Sequence, residues 1–169
     1  MVKTVMRPRE AMYPNPVVLV TCGKGDETNI ITLAWVGTVC SQPKMISISV
    51  RPSRHSYHLL KANMEFVLNI PTLELLQAVK ICGTKSGRDC NKWSETGLNA
   101  DASIAVETPG IKECPVSLEC QVKQTLDLGA HTMFLAEVLQ VRMDENWKFK
   151  PSPLVYFSGD YYKLSEEAV

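Results

Sequence analysis

The chain has 169 residues, 45% of them hydrophobic and 21% charged, which suits one domain with a substantial core and leaves too little for two. Its 18 basic residues balance 18 acidic ones, so no bulk electrostatic attraction to nucleic acid or to an anionic membrane is expected. The opening "MVKTVMRPREAMYPNP" lacks the apolar stretch of a secretory signal, and no apolar run reaches the roughly 18 residues of a membrane span. A cytoplasmic location is expected, with the cysteines reduced. Cysteines stand at 22, 40, 82, 90, 114 and 120; none forms a CxxC pair or has a histidine at zinc-finger spacing. No metal site is expected, and most of these thiols read as small buried hydrophobes.

"PVVLVTC" (16–22) is apolar and β-branched and reads as a strand, "GKGDETN" (23–29) as a turn, and "IITLAWVGTVC" (30–40) as a second strand forming a hairpin with the first. "KMISISV" (44–50) alternates, with Ile46, Ile48 and Val50 on one face and Ser47 and Ser49 on the other. Ser53 is placed to cap a helix running to about Ala62. "EFVLNI" (65–70) is a strand, and "TLELLQAVKICG" (72–83) a helix capped by Thr72 and stopped by Gly83. "NKWSETG" adds a further helical turn ended by glycine. In "PVSLECQVKQ" the even positions Val116, Leu118, Cys120 and Val122 are apolar and the odd ones polar, the clearest two-residue period in the chain. "HTMFLAEVLQVRM" (131–143) is its partner after the turn "DLGA", and "LVYFSGDYYKL" (154–164) closes the chain. Strands with helices inserted mid-chain predict a mainly β fold, an antiparallel barrel or sandwich; there is no βαβ rhythm and no GxGxxG after a first strand.

Four segments carry the chemistry. "CGTKSGRDCNKW" (82–93) contains a P-loop-like "GTKSG", but a P-loop needs GxxxxGK[ST] between strand and helix, and here a helix precedes the loop. The segment is therefore either a solvated basic turn or a loop whose N–H groups, Lys85, Arg88 and Lys92 meet an anion. In "RPSRHSY" a helix begins with Arg51, Arg54 and Ser56 around its positive dipole end, which suits a phosphate; a capped helix with exposed arginines is the plainer alternative. Thr32, Ala34 and Gly37 beside Trp35 leave room for a flat ligand or pack as an ordinary strand. His131 begins a strand at a rim, where it either meets a ligand or serves structure. No GxSxG and no Cys–His–Asn arrangement supports a hydrolase.

In order, "TNIITLAW", "CSQPKMISISVRPSRHSY", "EFVLNIP", "CGTKSGRDCNKW" and "HTMFLAEVLQV" resemble the flavin reductase-like family of FMN-binding split-barrel proteins, and its flavoredoxin-type subgroup most. The resemblance implies a single domain over 1–169 built as a six-stranded antiparallel Greek-key split β-barrel with peripheral helices, paired as a homodimer. It implies non-covalent FMN, with NADH, NADPH or a redox partner protein as electron source. Thr32, Leu33, Ala34 and Trp35 would lie along the isoalloxazine ring, and Ser49, Val50 and Arg51 near the ribityl chain. Arg54, Ser56 and Tyr57 would hold the phosphate, with Lys85, Ser86 and Lys92 approaching from the 82–93 loop. His131 would stand at the nicotinamide face as the catalytic side chain. The implied activity is hydride acceptance from NAD(P)H, with electrons passed to flavin, ferric or protein acceptors. The alternatives are an electron carrier without its own nicotinamide site and a non-catalytic flavin-binding protein.

Overall fold

The computed structural model describes residues 1–147 and 153–164. Residues 148–152 and 165–169 of the expected 1–169 domain lie outside these. In chain order the strands are β1 (Asn15–Pro16), β2 (Val18–Cys22), β3 (Asn29–Leu33), β4 (Val36–Ser41), β5 (Lys44–Val50), β6 (Glu65–Ile70), β7 (Ala100–Asp101), β8 (Gly110–Ile111), β9 (Val116–Asp127), β10 (Thr132–Met143), β11 (Leu154–Phe157) and β12 (Asp160–Lys163). The helices are α1 (His55–Asn63), α2 (Leu76–Thr84) and α3 (Lys92–Thr96). None of the described helices is long and apolar enough to cross a membrane.

The main sheet is antiparallel and has seven strands in the order β3-β2-β6-β9-β10-β5-β4. Its two end strands, β3 and β4, are neighbours in the chain, separated only by Ala34 and Trp35. The expected single strand over 30–40 is therefore cut in two, which is why the ladder has seven members where six were expected. At the cut the Ser49 N–H donates to the Trp35 carbonyl at 3.0 Å, so β5 still holds the kinked segment. β1, β11 and β12 form a separate three-stranded sheet, which makes "LVYFSGDYYKL" a hairpin turning at Ser158–Gly159.

β2 is buried on both faces, which explains its unbroken apolar run. Val18 and Val20 join Ile31, Ile48, Val50, Phe66, Cys120 and Phe134 in one core, while Leu19 joins Ile30, Val79, Cys82, Ile111 and Leu154 in another under α2. Each fully buried Phe or Leu contributes about 1.5–3 kcal/mol.

Helix boundaries differ from expectation for local reasons. The Arg54 N–H closes a turn onto the Arg51 carbonyl at 3.0 Å, so α1 starts one residue later, with Arg54 rather than Ser53 at the cap and no capping side chain. After Thr72 comes a short 3-10 turn (Leu73–Leu75), and α2 then runs through Gly83 to Thr84. Gly83 is thus no stop signal. A Cβ there would stand 3.3 Å from the Thr32 Cβ, so this glycine lets α2 lie close on β3. α3 follows the expected pattern: Asn91 Oδ1 accepts from the Trp93 and Ser94 N–H groups, and Gly97 (φ 71°) ends the helix.

The polar face of β9 is only partly exposed: Lys123 meets solvent, but the first half of the face does not. Ser117 and Glu119 are buried beneath the segment over 101–111. Glu119 accepts the N–H groups of Ile104 and Ala105 at 2.9 and 2.6 Å and pairs with the Arg142 Nε at 3.1 Å. Glu65 Oε1 accepts the N–H groups of Glu107 and Thr108, and Asn69 Oδ1 that of Ile111. Polar residues are buried here because they satisfy backbone donors that no strand partner satisfies.

Glu119→Ala should cost about 3–5 kcal/mol, because it strands two N–H groups and the Arg142 Nε and leaves that guanidinium only Asp101 as a partner. Urea unfolding checks this: the midpoint should fall with little change in slope, and a loss under about 1 kcal/mol would show that the segment is not held this way.

Candidate functional site

The kink at Ala34–Trp35, the end of β5, the start of α1 and the loop after α2 converge on one cleft of about 520 Å³. That size lies in the range of small-molecule and cofactor sites. Its lining holds Thr32, Leu33, Ala34, Trp35, Ser49, Val50, Arg51, Arg54, Ser56, Lys85, Ser86, Lys92 and His131; of the residues the sequence reading weighed for this site, Tyr57 and Gly37 are outside it. Tyr57 stands one position round α1, and successive helical side chains diverge by about 100°. Its ring packs on Phe134 and its hydroxyl meets the Thr132 Oγ1 at 3.3 Å, so it braces α1 against β10.

The electrostatics of the cleft are one-sided. Arg51, Arg54, Lys85, Arg88 and Lys92 line it, and no carboxylate does among the described residues. Acids and bases balance over the whole chain, so this is a local concentration of positive charge. Lys85 is partly compensated by a salt bridge to Glu95. Lys92 is 4% exposed, and its ammonium donates to the carbonyls of Ile30 and Cys82, both at 2.8 Å. Burial pushes its pKa down, with neighbouring Cys82, Cys90 and Cys22 opposing this. Two of its three N–H donors serve the backbone, which leaves one for the cleft it lines.

α1 presents its uncapped N-terminus to the cleft, a natural anion seat. Its first residue, His55, has a buried Nδ1 with no partner. Burial chiefly, then His58, Arg88 and Lys92, lower the His55 pKa. The Asn29 amide donates to the Ser56 Oγ at 2.8 Å and so joins β3 to α1. Across them runs Gly87, where a Cβ would fall 2.4 Å from the His55 ring and 2.5 Å from the Asn29 Oδ1. Only glycine lets this loop close down on the helix start.

At another part of the lining, His131 lies on Trp35 with ring centroids 4.5 Å apart and planes tilted by 42°. The Arg51 Nε donates to the His131 Nε2 at 3.3 Å. Burial first, then Arg51 and Arg54, lower the His131 pKa.

Sequence reasoning missed Asn29, His55, Gly87 and Tyr156 as lining residues. Asn29 and Gly87 carried a signal, a turn residue and a glycine flanking quoted motifs; Tyr156 carried none, since the β1-β11-β12 sheet brings it from the far end of the chain. Of the cysteines, Cys82 lines the cleft with its thiol pushed up to about 11 by burial. Cys40 lies instead in a separate groove with Met45, Val138 and Val141.

His55 and His131 both sit below the ordinary histidine value of 6.5. As pH falls through about 6.5 the unfolded chain binds protons that the folded chain resists, so stability should drop in that window. Urea midpoints should fall between about pH 7.5 and about pH 5.5, and fall less in the double variant His55→Gln, His131→Gln; equal falls would mean these rings are not the cause.

Residues 9–165 match the family described as the flavin reductase like domain. An uncharacterized protein of Pyrococcus abyssi is 38% identical over 128 residues, covering 76% of this chain and 73% of its own. The NADH-dependent FMN reductase AsuE2 of Streptomyces nodosus subsp. asukaensis is 24% identical over 164 residues, covering 97% and 86%. The structure of flavoredoxin from Desulfovibrio vulgaris (Miyazaki F) superposes with a TM-score of 0.89 at 26% identity, over 99% of this chain and 96% of that one. By the extent of the domain match and the identity of these relatives, the chain belongs to the flavin reductase-like family.

Proposed function

We propose that the cleft binds FMN and that the protein is an oxidoreductase accepting hydride from NADH or NADPH and passing electrons to free flavin, ferric or protein acceptors. The observation that carries this reading is a cleft lined, among the described residues, by five cations and no carboxylate, and open to the uncapped start of α1. An orphaned donor or acceptor at the buried His55 Nδ1 fits a phosphate-bearing ligand there. Bound flavin supplies reversible two-electron chemistry that no side chain has. The protein's part is position and charge. Arg54, Ser56 and the first turn of α1 hold the phosphate, with Arg51, Ser49 and Val50 along the chain that follows it. Thr32, Leu33, Ala34 and Trp35 form the slot for the ring, and Ser86 and Lys85 close it from the loop. Lys92, fixed by two carbonyls, brings a rigid positive charge that favours a ligand gaining negative charge. His131 on Trp35 receives the electron donor.

The same reading takes the rolled seven-stranded sheet as a split barrel, since its end strands are joined by two residues. It takes the exposed apolar side chains Val39, Leu139 and Val141 on β4 and β10 as the face of a homodimer.

Anaerobic addition of NADH or NADPH should bleach the flavin absorbance at a rate on the order of 10 per second, the middle of the enzyme range. Slow bleaching with both nucleotides but fast exchange with a protein donor would favour an electron carrier, the reading the flavoredoxin likeness supports. His131→Ala should slow the nucleotide reaction and spare exchange with a protein donor. Gly87→Ala should weaken FMN binding about tenfold or more, the equivalent of about 1.4 kcal/mol, because the loop must lift off His55. Riboflavin, which lacks the phosphate, should bind nearly as before; fluorescence titration of both ligands checks this, and equal losses would place the phosphate elsewhere.

A further inference from the structure

We propose that Arg51 is a positioning residue for His131: its Nε–H bonds to the His131 Nε2 and holds that ring neutral, protonated on Nδ1, and laid against Trp35. The kinetic consequence rests on the reading of the cleft as a flavin site served by a nicotinamide donor; the assignment of the ring does not.

A guanidinium has five N–H donors, no acceptor, and does not lose its proton in proteins. The nitrogen it meets at 3.3 Å must therefore carry a lone pair. A neutral imidazole has one donor and one acceptor, so Nε2 as acceptor leaves the proton on Nδ1. An imidazolium has donors on both nitrogens and would break the bond. It would also face two cations, Arg51 just after β5 and Arg54 just before α1. Trp35, from the kink, is uncharged. The nearby acid on β9 is Asp127, opposite Thr132 in the strand register, and its Oδ1 already accepts the Gly129 N–H at 3.0 Å. Nothing here is arranged to anchor a positive ring.

The result is a histidine that offers the cleft one N–H donor across the range where ordinary histidines change charge. Such a ring suits a neutral carbonyl acceptor, such as a carboxamide, and is a poor general acid. Arg51 spends only its Nε–H on this bond. Both terminal amino groups remain for the anion-lined end of a ligand, so one side chain links the cofactor seat to the ring at the donor face.

Nitrogen-15 NMR of the histidine rings in the flavin-free protein tests the assignment, with His131 identified by its loss in His131→Gln. The wild-type ring should show the Nδ1–H tautomer and a titration midpoint below 6.5. Arg51→Met should raise the midpoint and give the ordinary Nε2–H-rich mixture, while Arg51→Lys, which keeps a donor and a charge, should retain part of both properties. A wild-type ring protonated on Nε2, or an unchanged tautomer and midpoint in Arg51→Met, overturns the proposal. In the flavin-loaded protein Arg51→Met should raise the KM for the reducing nucleotide several-fold, change kcat less, and move the acid limb of the pH profile upward. If the NMR result holds and neither nucleotide reduces the flavin, the hydride-acceptor reading falls and the Arg51–His131 assignment stands.

Discussion

Ala34 and Trp35 have to join the two ends of a seven-stranded sheet. A link of two residues lets Leu33 and Val36 stand at most about 11 Å apart, so the ends must be brought together and the sheet must roll. Everything about the cleft descends from that constraint. The kink takes Thr32 to Trp35 out of regular pairing and lays their backbone along one wall. It sets Trp35 against His131 at the start of β10. It leaves the end of β5 free to turn through Arg51 into α1, whose uncapped start faces the same space.

Buried charge does two different jobs in this molecule. Beneath the 101–111 segment, Glu65 and Glu119 accept backbone N–H groups and fix a stretch that has almost no strand pairing of its own. At the cleft, Lys92 donates to one carbonyl on β3 and one on α2, and so ties three elements together from α3. A buried ion is costly to desolvate, and both arrangements recover that cost through several charge-assisted bonds. The carboxylates stabilise a covering segment; the ammonium stabilises a wall of the cleft.

Much of the fold was legible because β5 and β9 have a two-residue period in the sequence and β2, β6 and β10 are β-forming runs between turn signals. The break between β3 and β4 was not, since "IITLAWVGTVC" is β-forming throughout and only closure of the sheet decides where it bends. The alternation of β9 marked Ser117 and Glu119 only as polar, because a two-residue period cannot distinguish water from backbone N–H groups as their partners. At the site, charge type, a helix start and small residues raised Arg51, Arg54, Ser56, Lys85, Lys92, Thr32, Ala34 and Trp35, a rim position raised His131, and resemblance supplied Leu33, Ser49, Val50, Tyr57 and Ser86. Tyr57 was misplaced by the angular step of a helix, and Tyr156 was invisible because the smaller sheet delivers it from far along the chain.

Among the described residues no acidic side chain lines the cleft, and this has a kinetic side. Five like charges set in a concave, low-dielectric wall focus their field outward, so an anion is drawn toward the opening before any contact forms. Capture of a phosphorylated ligand would then be fastest in dilute buffer and would slow as ions shorten the reach of that field to about 8 Å at physiological strength. Release depends on short-range bonds and would change far less. In a neutral chain, this geometry makes ionic strength a control on how quickly the site fills.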